Sequence, residues 1–150
     1  MRRAPWRRRV VVELLLLARK VAAIRDATAR IRDVLPESAD ALAADRTARE
    51  VVVLNLMVAV QEAIDLATHW VADAGWLVPE AYRDLFVALA EHGIIDADLA
   101  VRLAAAAGLR NLIAHRYGAL DWRRIHEIAS GELGDLEDFC AAVAEAADAP

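Results

Sequence analysis

Apolar residues recur along this chain at intervals of three and four, and no stretch alternates apolar with polar as a half-buried strand would. The clearest stripe is Val53, Leu56, Val60, Ile64 and Ala67, which steps three, four, four and three. That spacing predicts one face of a core-facing helix. Pro36, Gly75 with Pro79, Gly93, Gly118 and the Gly131/Gly134 pair cut the chain into long Ala/Leu/Val/Arg/Glu segments. The segments predict helices over Val10–Leu35, Arg46–Ala74, Pro79–Glu91 and Asp96–Arg116, a short one after Asp121, and a last one over Gly134–Ala147. Pro79 with Glu80 suits a first turn, where a missing amide is harmless and an acid complements the dipole. Asp96 and Asp121 are expected N-caps. The reading is an all-α domain over residues 10–150, an antiparallel bundle with short connections, behind a basic leader over residues 1–9.

Composition narrows the function. The chain has 150 residues, of which 58% are hydrophobic and 27% charged, with six glycines and four prolines, so it is neither disordered nor fibrous. One cysteine, Cys140, makes no internal disulfide and no cysteine-rich zinc site, which fits a reducing compartment. A net charge of −5 excludes a polycation that coats nucleic acid, so RNA chemistry has to come from a local patch. The start, with five arginines between Arg2 and Arg9 ahead of an apolar run, imitates a signal peptide. Glu13 interrupts that run, and Arg19 and Lys20 occupy the place of a cleavage site. The run is also about half of the roughly 20 residues that span a bilayer. A cytoplasmic protein without a membrane anchor is expected.

Two polar constellations stand out. Glu62, Asp65, His69 and Asp73 share a second face of the Arg46–Ala74 helix. They suit a polar interface, a solvated stripe or the wall of a site that includes Asp65 and His69. Two-metal bundles carry Glu-x-x-His on two helices, a spacing this chain lacks, so no metal is expected.

The second constellation is Gly108-Leu109-Arg110-Asn111-Leu112-Ile113-Ala114-His115-Arg116-Tyr117-Gly118. At 100° per residue, Leu109, Leu112 and Ile113 cluster toward the core. Asn111 and His115 lie side by side on the opposite face, whereas Arg110 and His115 diverge by about 140° around the axis. They converge only if the arginine stem bends round or a second chain supplies the missing member. Ala100, Ala104, Ala107, Asn111, Ala114 and Gly118 also form a seam of small residues with one asparagine, which fits either a crowded internal core or a two-fold interface. Across a two-fold, both copies of Arg110, Asn111 and His115 meet. A neutral-range base and a permanently charged fork of donors suit cleavage of RNA without a metal: His115 deprotonates a ribose 2′-hydroxyl and Arg110 steadies the phosphate. A helix-terminal histidine is otherwise a capping or surface residue.

Arg110-Asn111-Leu112-Ile113-Ala114-His115-Arg116-Tyr117 resembles the Arg–four-residues–His–x–Tyr motif of HepT-like proteins of the HEPN superfamily. Asn55, Gln61 to His69, Val78 to Arg83 and Phe86 to Gly93 resemble further family segments in the same order, so the likeness runs from about Val10 to the end. The resemblance implies a four- to five-helix bundle that dimerises through the motif helix and forms a composite ribonuclease site. It implies the toxin half of a type VII toxin–antitoxin pair, partnered by a minimal nucleotidyltransferase, MntA, that adenylylates the motif tyrosine from ATP. On this sequence Arg110 and His115 carry over as catalytic, Asn111 as a polar helper and Tyr117 as the modification target.

The arginine-rich leader departs from the pattern: a start-codon choice, a disordered arm and an extra contact for RNA or an acidic partner all fit it. His92, His126 and Cys140 have no companion residues and read as structural. The competing function is a non-catalytic helical module that only binds a nucleotidyltransferase or a nucleotide; RNA cleavage by the purified protein separates the two.

Overall fold

A computed structural model describes residues 10–148, and the basic leader with Trp6 lies outside the described residues. Seven α-helices and no strand are found among them. In chain order they are α1 (Val10–Val34), α2 (Ala39–Ala44), α3 (Arg46–Asp73), α4 (Tyr82–Glu91), α5 (Ala97–Arg116), α6 (Trp122–Gly131) and α7 (Leu133–Asp148), with one 3₁₀ turn at Tyr117–Ala119.

Short acidic side chains start the helices. Asp45 accepts the Ala48 amide at 3.0 Å, Asp96 the Leu99 amide at 2.7 Å and Asp121 the Arg123 amide at 3.0 Å. Each such cap contributes about 1 kcal/mol. Gly75 and Gly93, with φ of 78° and 75°, follow α3 and α4 in the left-handed region that a Cβ disfavours.

Three expectations need correction. The fourth helix begins at Tyr82 rather than Pro79: Pro79 and Glu80 lie in the link, and Asp84 is the acid of the first turn. α2 is an additional helix of six residues, too short to show a period, that Ser38 caps by accepting the Ala41 amide at 3.1 Å. α7 begins at Leu133, so the Gly131/Gly134 pair marks a tight junction with α6 rather than a break.

α3 is the central helix. Its stripe of Val53, Leu56, Val60, Ile64 and Ala67 is at most 3% exposed. α1 packs along α3, with Lys20 against Glu62, as two helices do when the chain folds back on itself. The main core joins α1, α3, α4, α5 and α7 through residues such as Ile24, Ile64, Phe86, Leu103 and Phe139. Phe86 meets Phe139 edge to face, with centroids 5.8 Å apart. A smaller core of Ile31, Leu42, Val52, Leu56, Ile113 and Ile125 lies under the end of α5 and seats the motif. α3 is long and apolar enough to cross a membrane by composition, yet half of its most apolar window is buried in the bundle.

Candidate functional site

The motif occupies the last two turns of α5 and the 3₁₀ turn behind it. Ile113 fixes this end: it is 4% exposed in the smaller core. Leu109 is half-buried beside it, but Leu112 is 42% exposed, which corrects the expectation that all three leucine and isoleucine positions face inward. The reason is rotational. The buried side of α5 is set by Leu99, Leu103, Ala107 and Ile113, and Leu112 lies about 100° from Ile113 toward solvent.

Arg110 points to α3. Its Nε donates to Gln61 Oε1 at 2.7 Å, and its Nη1 donates to Asn111 Oδ1 at 3.3 Å. Gln61 Nε2 in turn donates to Asp65 Oδ1 at 2.9 Å. Lys20 of α1 sits 3.1 Å from Glu62 Oε2 and 3.7 Å from Asp65 Oδ2. Glu62 and Asp65 therefore form a polar junction between α1 and α3, and Asp65 joins it to Arg110 through Gln61. His69 is exposed, one helical turn past Asp65, and about 12 Å along α3 from Gln61. Of the two wall residues expected, Asp65 belongs to the arginine's surroundings and His69 does not touch them.

His115 is exposed on the far side of α5, with Asn111, Ala114 and Gly118 also exposed around it. The small-residue seam divides in two. Ala100 and Ala107 are buried in the chain's own core, whereas Asn111, Ala114 and Gly118 lie open. Ala104, Ala107, Gly108 and Asn111 also line a groove of about 700 Å³ between α4 and α5, with Tyr82 and Val87 on its other wall. Arg110 thus has its hydrogen bonds with Gln61 and Asn111, while His115 is exposed.

Tyr117 follows directly, 47% exposed at the end of α5. Its ring meets Trp122 edge to face at 6.4 Å, and the Arg49 guanidinium lies 5.4 Å above the Trp122 ring. Arg49 also donates to the Ala43 carbonyl, which holds it in place. Arg116 and Arg123 are exposed in the same stretch of chain.

The residues read as structural have structural contacts. His92 stacks on Trp76 at 3.5 Å and hydrogen-bonds the Ala88 carbonyl through Nδ1 at 2.8 Å. His126 Nε2 bonds the Pro36 carbonyl at 2.8 Å, tying α6 to the link after α1. Cys140 is fully buried, and burial pushes its thiol up to about 11. Sequence reasoning missed Gln61 and Lys20 as neighbours of the site. The spacing of Gln61 and Asp65, four apart on one face, signals that pair but not its contact with Arg110.

Known proteins resemble this chain in sequence and in fold. The mRNA nuclease HepT of Shewanella oneidensis is 29% identical over 124 residues, which cover 83% of this chain and 92% of that protein. A putative RNase of Archaeoglobus fulgidus is 31% identical over 104 residues, covering 69% of this chain and 77% of its own length. Among solved structures, a tri-AMPylated HEPN toxin of Shewanella oneidensis in complex with an MNT antitoxin superposes with a TM-score of 0.79 at 28% identity, covering 85% of this chain and 96% of that one. The profile of the family described as Ribonuclease HepT-like matches residues 24–143, and the chain belongs to that family.

Proposed function

We propose that this protein is the RNA-cleaving toxin of a toxin–antitoxin pair, acting in the cytoplasm as a homodimer. Its site is a cleft shared by two copies of α5, with Arg110 and His115 as catalytic residues and Asn111 as a polar helper. The observation that carries the reading is that Arg110 is tied to Gln61 of α3 while His115 lies exposed among small residues. A two-fold contact over Asn111, Ala114 and Gly118 brings His115 of one copy toward Arg110 of the other. The nuclease name of the Shewanella relative supports the reaction class.

The chemistry follows from the side chains. His115 takes the proton of a ribose 2′-hydroxyl, and that oxygen attacks the adjacent phosphorus. Arg110 donates to the phosphate oxygens as negative charge builds on them. The departing 5′-oxygen takes a proton from an imidazolium, leaving a cyclic phosphate and a free 5′-hydroxyl. That imidazolium is His115 after the first proton transfer, so one histidine serves first as base and then as acid. DNA has no 2′-hydroxyl and is refused.

Silencing follows from Tyr117. A nucleotidyltransferase of the MntA type transfers AMP from ATP to the exposed Tyr117 hydroxyl and releases pyrophosphate. The complex of the related toxin with its MNT antitoxin supports this partner. Bulk and negative charge two residues from His115 then exclude the RNA phosphate.

The test is cleavage of an RNA oligonucleotide by the partner-free protein. His115→Ala is expected to lower the rate roughly 10²–10⁴-fold at unchanged thermal stability. Equal inertness of wild type and variant favours the non-catalytic binding module instead.

A further inference from the structure

We propose that Gln61 is the positioning residue for Arg110: a neutral relay that fixes the guanidinium while leaving its charge available to a phosphate. The inference rests on the ribonuclease reading above, and it concerns how that site keeps a free cation beside a row of carboxylates.

Three helices contribute. Arg110 of α5 donates through Nε to Gln61 Oε1 at 2.7 Å. Gln61 of α3 donates through Nε2 to Asp65 Oδ1 at 2.9 Å. Lys20 of α1 lies 3.7 Å from Asp65 Oδ2 and 3.1 Å from Glu62 Oε2. An amide is the side-chain group that accepts from a guanidinium with one end and donates to a carboxylate with the other. Asp65 therefore orients Arg110 at one remove, and Lys20 balances its charge from the other side.

A carboxylate in direct contact with Arg110 changes the outcome. It forms a charge-assisted pair with the guanidinium, and an incoming phosphate has to compete for the same donors. With Gln61 in place, two of the guanidinium's five N–H donors go to the neutral acceptors Gln61 and Asn111. The others remain for a phosphate, and the long, rotamer-rich stem is already ordered before RNA arrives.

The decisive variant is the exchange Gln61→Glu with Asp65→Asn. It keeps the net charge and lets the amide introduced at position 65 donate to the carboxylate introduced at position 61, but it moves one negative charge a helical turn closer to Arg110. Cleavage kinetics on an RNA oligonucleotide, and RNA binding in a His115→Ala background, are measured against salt. KM is expected to rise about tenfold or more, as for one lost charged hydrogen bond, and kcat to fall with it, since the same donors meet the growing phosphate charge. The slope of log K against log salt is expected to become shallower by about 0.7, the contribution of one phosphate contact on a single strand. An unchanged KM and salt slope, or a fall in kcat alone, overturns the proposal.

Arg110→Ala in the same assays keeps the two ideas apart. If that variant cleaves like wild type, the ribonuclease site itself is misassigned. If it is impaired while the exchange variant is not, only the role of Gln61 fails. Should the exchange variant not fold, hydrogen exchange of the Arg110 Nε–H in the wild-type protein decides. It is expected to be slower than that of the exposed Arg123 and to reach the Arg123 rate in Gln61→Ala; equal rates in wild type contradict the relay.

Discussion

Arg110 and His115 are five residues apart, and on a straight helix five residues turn about 140° and rise about 7.5 Å. That rotation turns the arginine toward α3 and the histidine away from it. On the proposed reading, each residue is completed by its counterpart in a second copy. The role proposed for Tyr117 has a separate test. Tyr117→Phe keeps the ring against Trp122 and removes only the hydroxyl, so it is expected to cleave RNA normally but to gain no AMP mass with a nucleotidyltransferase partner and ATP. Mass added at another residue contradicts the assignment. Cys140 gives a control for the fold. Its thiol is raised to about 11, so burial favours the protonated form and the folded state is fully stable with respect to this group below its ordinary value near 9. That stability is lost as pH rises toward 11. Iodoacetamide at neutral pH is expected to label Cys140 only on unfolding, and labelling of the native protein at the rate of a free thiol argues against this burial.

At the scale of elements, what was legible in the sequence followed the physics of each helix. The α3 stripe and the Asp96 and Asp121 caps are local signals, and local geometry honours them. Leu112 was misjudged because a wheel gives relative directions, while the side that becomes buried is chosen by α3 and α4. The Arg110–Gln61 bond joins residues far apart in sequence, so spacing within either helix could not reveal it. The seam shows the same limit: Ala100 and Ala107 are internal, Ala104 is half-buried on the groove, and Asn111, Ala114 and Gly118 lie open. This makes Ala114 the sound probe of dimerisation. Ala114→Trp is expected to give monomers by light scattering with little loss of stability, and a variant that stays dimeric contradicts an interface there. Ala107, 2% exposed, is no such probe, because a larger residue overpacks the chain's own core.

For the whole molecule, the bundle's task is to hold one end of α5 rigid. The main core does so from a distance, through α1, α3, α4, α5 and α7. Phe139→Ala removes a fully buried ring from the edge-to-face pair with Phe86 and is expected to cost about 3–5 kcal/mol, read as a lowered midpoint in denaturant. A cost below about 1 kcal/mol means that this pair does not brace the bundle. The central claim concerns two such bundles facing each other, and complementation between inactive variants tests it most directly. Arg110→Ala and His115→Ala are each expected to be inactive alone. When they are mixed and allowed to exchange subunits, every mixed dimer has one intact arginine facing one intact histidine across the interface, and RNA cleavage returns. A mixture that exchanges subunits yet stays as inactive as its parts contradicts a site shared between copies.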